Sequence, residues 1–147
     1  MSKRSGAEAG YGEQVAFGTM AGGGSGTVLV VDDDPSLRLL CRVNLELDGF
    51  DVLEAGTLGD ARRQLEDERI DLVLLDVHIA GQDGRDLLEE LRATEADVRV
   101  VMLTGSVDVT SGGLASADRV VAKPFEPLKL VSVVREVLDS PRVDSRL

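Results

Sequence analysis

Basic residues and cysteine are scarce in this chain. Its 147 residues carry 16 lysines and arginines against 27 aspartates and glutamates, a net charge of −11. A surface of that sign repels nucleic acid and anionic lipid, so neither is expected as a partner, whereas a cation or a basic protein patch is. The single cysteine, Cys41, allows no intrachain disulfide and no cysteine-rich metal site, and it suits a reducing compartment. No apolar run approaches the ~18 residues of a membrane span. Glu8, Glu13, Gln14 and several glycines break up any signal-peptide core behind Lys3 and Arg4. The expected location is therefore cytoplasmic.

What is present reads as one soluble domain between two tails. Apolar residues make up 43% and charged residues 29%, ordinary values for a globular chain long enough to bury a core. Residues 1–26 are rich in Gly, Ala and Ser, lack periodicity and read as a flexible tail, with Met20 an alternative start. Residues 27–138 form the expected domain, and 139–147 a short polar tail. Within the domain, apolar runs at 27–32, 71–76, 98–104 and 119–123, and a shorter one at 51–55, each fit a strand buried on both faces of a parallel sheet. Amphipathic stretches alternate with them: 36–48 with a stripe of Leu37, Leu40, Cys41, Asn44 and Leu47, then 58–68, 84–93 and 126–138. Strands alternating with helices make a doubly wound α/β fold, in which ligands bind beyond the carboxyl ends of the strands.

The polar residues gather at those ends. Asp32 and Asp33 close the first strand, Asp76 the third, Thr104 the fourth and Lys123 the fifth. Carboxylates converging on one crevice repel one another unless a divalent cation joins them, and hard oxygen ligands suit Mg²⁺. A carboxylate beside Mg²⁺, a hydroxyl and an ammonium is the equipment for accepting a phosphoryl group. Asp76 supplies the nucleophilic oxygen, while the cation, Thr104 and Lys123 neutralise charge on the group in transfer.

In order along the chain, VLVVDDDPS, LVLLDVHIAGQDG, VVMLTG and VVAKPF resemble the motifs of the receiver domain of two-component response regulators. The resemblance spans about residues 27–138. It implies a flavodoxin-like, five-stranded parallel sheet of order 2-1-3-4-5 and makes Asp76 the phosphoacceptor. Asp33 and Asp76 would bind Mg²⁺ directly, the His78 backbone carbonyl would add a third protein ligand, and Asp32 would act largely through water. Thr104 and Lys123 would contact the phosphoryl oxygens, and the Lys123–Pro124 bond would be cis. The implied partners are a histidine kinase or histidine phosphotransferase and an unknown downstream protein. The chain would be a signalling domain rather than an enzyme, beyond phosphorylating itself from small donors and dephosphorylating itself.

Several residues have plainer readings. Asp34 precedes Pro35 and caps the first helix, the lone His78 lies in a loop with no direct chemistry expected of its side chain, and Cys41 is core. The glycines of the GQDG turn at 81–84 relieve backbone strain beside the site. Two features depart from the family. Val120 stands three residues before Lys123, where receivers commonly carry a Tyr or Phe that swings inward on phosphorylation. The stretch between Thr104 and Lys123 is short and a poor helix former, so the fourth helix is expected to be shortened or irregular. Gly105 and Ser106, with the residues up to 118, then become the candidate phosphorylation-sensitive element. With only a short tail after residue 138, output is expected through protein contacts, as a stand-alone regulator or a phosphorelay shuttle, the alternative being a piece of a longer regulator or hybrid kinase. Two alternatives are a haloacid-dehalogenase-type phosphatase using Asp32 and Asp34, and a receiver-like module that works by shape without phosphorylation.

Overall fold

The computed structural model describes residues 25–94, 96–105 and 113–141. In chain order these form β1 (Thr27–Val31), α1 (Pro35–Leu47), β2 (Asp51–Ala55), α2 (Leu58–Asp67), β3 (Leu72–Asp76), β4 (His78–Ile79), β5 (Gln82–Asp83), α3 (Arg85–Ala93), β6 (Arg99–Thr104), β7 (Arg119–Ala122) and α4 (Pro127–Asp139). Five strands make one parallel sheet of order β2-β1-β3-β6-β7, and β4 and β5 pair separately as a hairpin. With that hairpin set aside, the order is the expected 2-1-3-4-5. Chain direction across the sheet reverses where β1 lies between β2 and β3, which opens a crevice at the carboxyl ends of β1 and β3.

The period-two alternation of the strands splits the core into two layers. Val28, Val30, Leu72, Leu74, Val101 and Leu103 pack with Cys41 and Leu45 of α1 and Leu130 and Val134 of α4 on one face. Leu29, Val31, Val73, Leu75, Val100 and Met102 pack with Leu58 and Ala61 of α2 and Leu87 and Leu88 of α3 on the other. Residues 28–31 of β1 and all of β3 are buried on both faces of the sheet, which is why those segments read as unbroken apolar runs. Each buried Leu contributes about 1.5–3 kcal/mol relative to exposure.

The helix starts follow their sequence signals. Asp34 adopts an extended conformation and its Oδ1 accepts from the Ser36 N–H at 2.9 Å, with Pro35 just inside the helix. Thr57 caps α2 in the same way, its hydroxyl accepting from the Asp60 N–H at 3.1 Å.

Three expectations need correction or completion. The buried stripe of α1 runs through Cys41 and Leu45, with Leu37 and Asn44 partly covered, so Leu40 and Leu47 belong to the solvent face with Leu39 and Val43. The GQDG stretch is not a simple turn, because its first residues complete the β4–β5 hairpin. In the connection from β6 to β7, residues 115–118 are turn and bend rather than helix; Ser106, with the rest of 106–112, lies outside the described residues. The end of that connection is tied to α3 by Arg92, which donates to the Ser116 carbonyl at 2.9 Å and to the Asp118 carboxylate at 2.9 Å.

Leu74 lies in the middle of β3, fully buried among both neighbouring strands. Leu74→Ala is expected to lower the unfolding free energy by about 2–5 kcal/mol in chemical denaturation. A loss below about 1 kcal/mol would mean that this layer is loosely packed.

Candidate functional site

β1 and β3 run side by side, with Val31 opposite Leu75, so the residues that follow them emerge together at the crevice. Carboxylate oxygens of Asp32, Asp33 and Asp76 lie within 4.8 Å of one another. β6 and β7 bring Thr104 and Lys123 to the same edge, Thr104 pairing with Ala122 and the Lys123 N–H donating to the Thr104 carbonyl at 2.8 Å. The Lys123–Pro124 peptide bond is cis, as the resemblance implied.

Lys123 is the central cation of the cluster. Its Nζ lies 2.8 Å from Asp76 Oδ2 and 3.1 Å from Asp32 Oδ2. Burial works against its ammonium form, but the two carboxylates that accept its protons outweigh burial, so its pKa stands above the ordinary lysine value. Asp32 is almost completely buried, and burial, with the Asp76 charge adding to it, raises its pKa despite the Asp34 N–H at 2.9 Å and the lysine. Asp33 is exposed, and its Oδ2 accepts from the Ala80 N–H at 2.9 Å. Asp76 is buried at the end of β3, its Oδ1 facing the His78 N–H at 3.4 Å. Thr104 is buried too, and its hydroxyl donates to the Gly105 carbonyl at 2.9 Å.

The expected site residues thus converge, and the plainer readings hold for Asp34 and Cys41. Asp34 is occupied in capping α1 and stands outside the three-carboxylate cluster. Burial, reinforced by the charge of Asp32, pushes the Cys41 thiol up to about 12, so it is an inert core residue. Val120 is 41% exposed on the edge strand β7.

Two supporting residues, Arg38 and Ala80, carry no signal of their role in the sequence, and a third, Gly84, has a different role from the one expected. Arg38 donates through Nη1 to the Asp32 carbonyl at 2.6 Å and through Nε to Glu54 at 3.0 Å, fastening the acidic loop to β2. The sequence shows only an arginine one turn into a helix that starts at the site, and its reach back to a carbonyl is not a sequence property. Ala80 contributes only its backbone. Gly84 was grouped with Gly81 as a reliever of strain, yet only Gly81 has a positive φ, 79°. At Gly84 φ is −62°, and the requirement is steric: a Cβ there would lie 2.0 Å from the Asp76 carbonyl oxygen. Gly84→Ala is therefore expected to displace the Asp76 backbone and cost about 3 kcal/mol of stability, measured by denaturant unfolding. An alanine variant of unchanged stability would show that this close approach is readily relaxed.

The family model for the response regulator receiver domain matches residues 28–135. The DNA-binding response regulator MtrA of Mycolicibacterium smegmatis is 43% identical over 111 residues, covering 74% of this chain and 48% of that protein. The phosphate regulon transcriptional regulatory protein PhoB of Pseudomonas aeruginosa is 37% identical over 117 residues, covering 76% of this chain and 51% of that protein. The chain spans about half the length of these curated relatives. Among solved structures, a CheY-like receiver domain protein from Methanospirillum hungatei superposes with a TM-score of 0.71 at 30% identity, covering 78% of this chain and 94% of that one. The response regulator TrrA of Thermotoga maritima, solved in complex with Mg²⁺ and beryllofluoride, gives 0.70 at 28% identity, covering 76% and 98%. A family match over most of the domain, shared by sequence relatives and solved folds alike, makes this chain a member of the response regulator receiver family, a signalling domain of two-component systems.

Proposed function

We propose that this receiver takes a phosphoryl group on Asp76 from the phosphohistidine of a histidine kinase or histidine phosphotransferase, or from a small acyl phosphate donor. The observation that carries the reading is the Lys123 ammonium held between Asp76 and Asp32 inside a three-carboxylate cluster. One Asp76 carboxylate oxygen attacks phosphorus, the phosphorus–nitrogen bond of the donor breaks, and the histidine nitrogen keeps the electron pair. The product is an acyl phosphate. Lys123, already beside Asp76, turns to the incoming oxygens, and the Thr104 hydroxyl exchanges the Gly105 carbonyl for an anionic acceptor.

Asp32, Asp33 and Asp76 fit a divalent cation, since their oxygens already converge and Asp33 leaves the cluster open to solvent. They would hold Mg²⁺ together with the His78 carbonyl, Asp32 largely through water. When bound, the cation supplies positive charge to the transferring group. Asp34, committed to capping, is not placed for the Asp-x-Asp pair that a haloacid-dehalogenase-type phosphatase needs, which disfavours that alternative.

The donor must arrive where Asp33 is exposed. There the exposed apolar residues Leu39 and Leu40, in the first two turns of α1, offer it a surface that follows directly on the acidic loop, with Val43 and Leu47 exposed farther along the helix. The net charge of −11 disfavours DNA contact by these residues, but the expectation of no nucleic-acid partner does not extend to a longer protein, because MtrA is a DNA-binding regulator about twice the matched length.

For output, Val120 is β-branched and half-exposed, so it has no large rotation between surface and core to offer. The phosphorylation-sensitive element proposed is residues 105–118, including Gly105 and Ser106, anchored at its far end by Arg92.

Incubation with acetyl phosphate and Mg²⁺ is expected to add one acid-labile phosphoryl group of about 80 Da, and Asp76→Asn to abolish it, by intact mass spectrometry. An equal yield in the mutant would place the acceptor elsewhere. Hydrogen exchange with and without beryllofluoride is expected to change chiefly at 105–118, and changes confined to α1 or α4 would refute the switch reading.

A further inference from the structure

The β4–β5 hairpin stands over the acidic cluster on a fixed base. Its register, His78 with Asp83 and Ile79 with Gln82, leaves Ala80 and Gly81 as a two-residue loop. Both have positive φ, 50° at Ala80 and 79° at Gly81, the geometry of a type I′ turn. Gly and Asn are the usual occupants of such positions, and a residue with a Cβ adopts them only where its surroundings hold it there. Here they do. At the base, the Gly84 N–H donates to the Val77 carbonyl at 2.6 Å and the Val77 N–H to the Leu103 carbonyl at 3.1 Å. Arg85 grips the Asp83 carboxylate through Nε at 2.9 Å and Nη2 at 2.7 Å. The tip is thus fixed relative to β3 and β6, the strands that deliver Asp76 and Thr104.

From that tip the Ala80 N–H reaches across 47 positions of sequence to Asp33 Oδ2, at 2.9 Å. The three clustered carboxylates are held differently. Asp32 and Asp76 are buried and share the Lys123 ammonium, whereas Asp33 is exposed and outside that lysine's grip. An exposed aspartate held by nothing would sample several rotamers, and gathering it onto a cation would cost that freedom.

We infer that Ala80 is a positioning residue for the cation site: its backbone N–H, aimed by the left-handed turn, holds one oxygen of Asp33 so that its carboxylate is in place among Asp32 and Asp76 before Mg²⁺ arrives. This rests on the metal reading given above. The side chain of Ala80 has no part in it, and the group concerned is one hydrogen atom on the main chain.

The test removes that atom. Replacing Ala80 by lactic acid, through nonsense suppression with the α-hydroxy acid, keeps the methyl group and turns the N–H into an ester oxygen. MgCl₂ is titrated into the metal-free protein, with binding read from backbone amide shifts in NMR and folding from thermal unfolding without metal. The ester is expected to weaken Mg²⁺ binding about tenfold, the worth of one hydrogen bond to a charged group, with the amide spectrum still that of the folded domain. Ala80→Gly, which keeps the N–H and suits the positive φ, is expected to bind as the wild type does. In an Asp33→Ala background the ester is expected to leave the residual affinity unchanged.

The inference is overturned if the ester binds Mg²⁺ as well as or better than the wild type, or if it weakens binding equally without Asp33. A wild type that shifts no amide near the cluster would instead refute the metal reading, and this inference with it.

Discussion

One ammonium holds the carboxyl end of this sheet together. Asp32 and Asp76 are buried acids on adjacent strands, and Asp33 stands beside them. Without Lys123 between them the buried charges would face each other across a medium far less screening than water, where like charges at such distances repel strongly. Lys123 itself is half out of water and would lose its proton more readily there if the two carboxylates did not hold it. Each charge is therefore tolerable only in the presence of the others. A cluster bound in this way still carries more negative than positive charge, an imbalance of the sign that suits a cation.

The surrounding structure fastens the backbone that presents these charges. Arg38 ties the Asp32 carbonyl to Glu54 of β2, and the Asp34 N–H donates to Asp32 Oδ1. Gly84 lets the start of α3 lie directly against the Asp76 carbonyl. The Lys123 N–H donates to the Thr104 carbonyl, tying the ends of β6 and β7 together. None of these groups is itself a charged side chain of the cluster, yet each fixes backbone from which a polar side chain of the crevice is suspended.

Much of this was legible in the sequence because it rests on side-chain type and strand position. Apolar runs ending in Asp32, Asp76 and Thr104 can be placed at one edge once the sheet is recognised as parallel. The phase of α1 was not legible, because Leu37, Leu39, Leu40, Val43, Leu45 and Leu47 put apolar residues on more than one face, and a stripe can be drawn through several of them. Only the packing against β1, β3 and α4 selects Cys41 and Leu45. The hairpin was hidden for a different reason. Strands of two residues leave no periodicity, and the feature that defines the turn, positive φ at Ala80, runs against that residue's own preference. Backbone donors such as the Ala80 N–H are present at nearly every position of any chain, so no residue pattern announces which one is aimed at a site.

The two long arginines on α3 show the same limit. Arg85 closes the hairpin by holding Asp83, and its stem lies against Gly113, where a Cβ would come within 2.9 Å of Cδ. Two turns later Arg92 holds Ser116 and Asp118. One helix thus touches both the loop that carries Ala80 over the acidic cluster and the far end of the connection that follows Thr104. α3 borders the Asp76 carbonyl at its start, where Gly84 lies, and the described end of the connection, 113–118, along its side. Because α3 packs its own Leu87, Leu88 and Leu91 into the core, it resists bending. Those two arginines therefore hold the hairpin and the end of the connection from a helix fixed in the core.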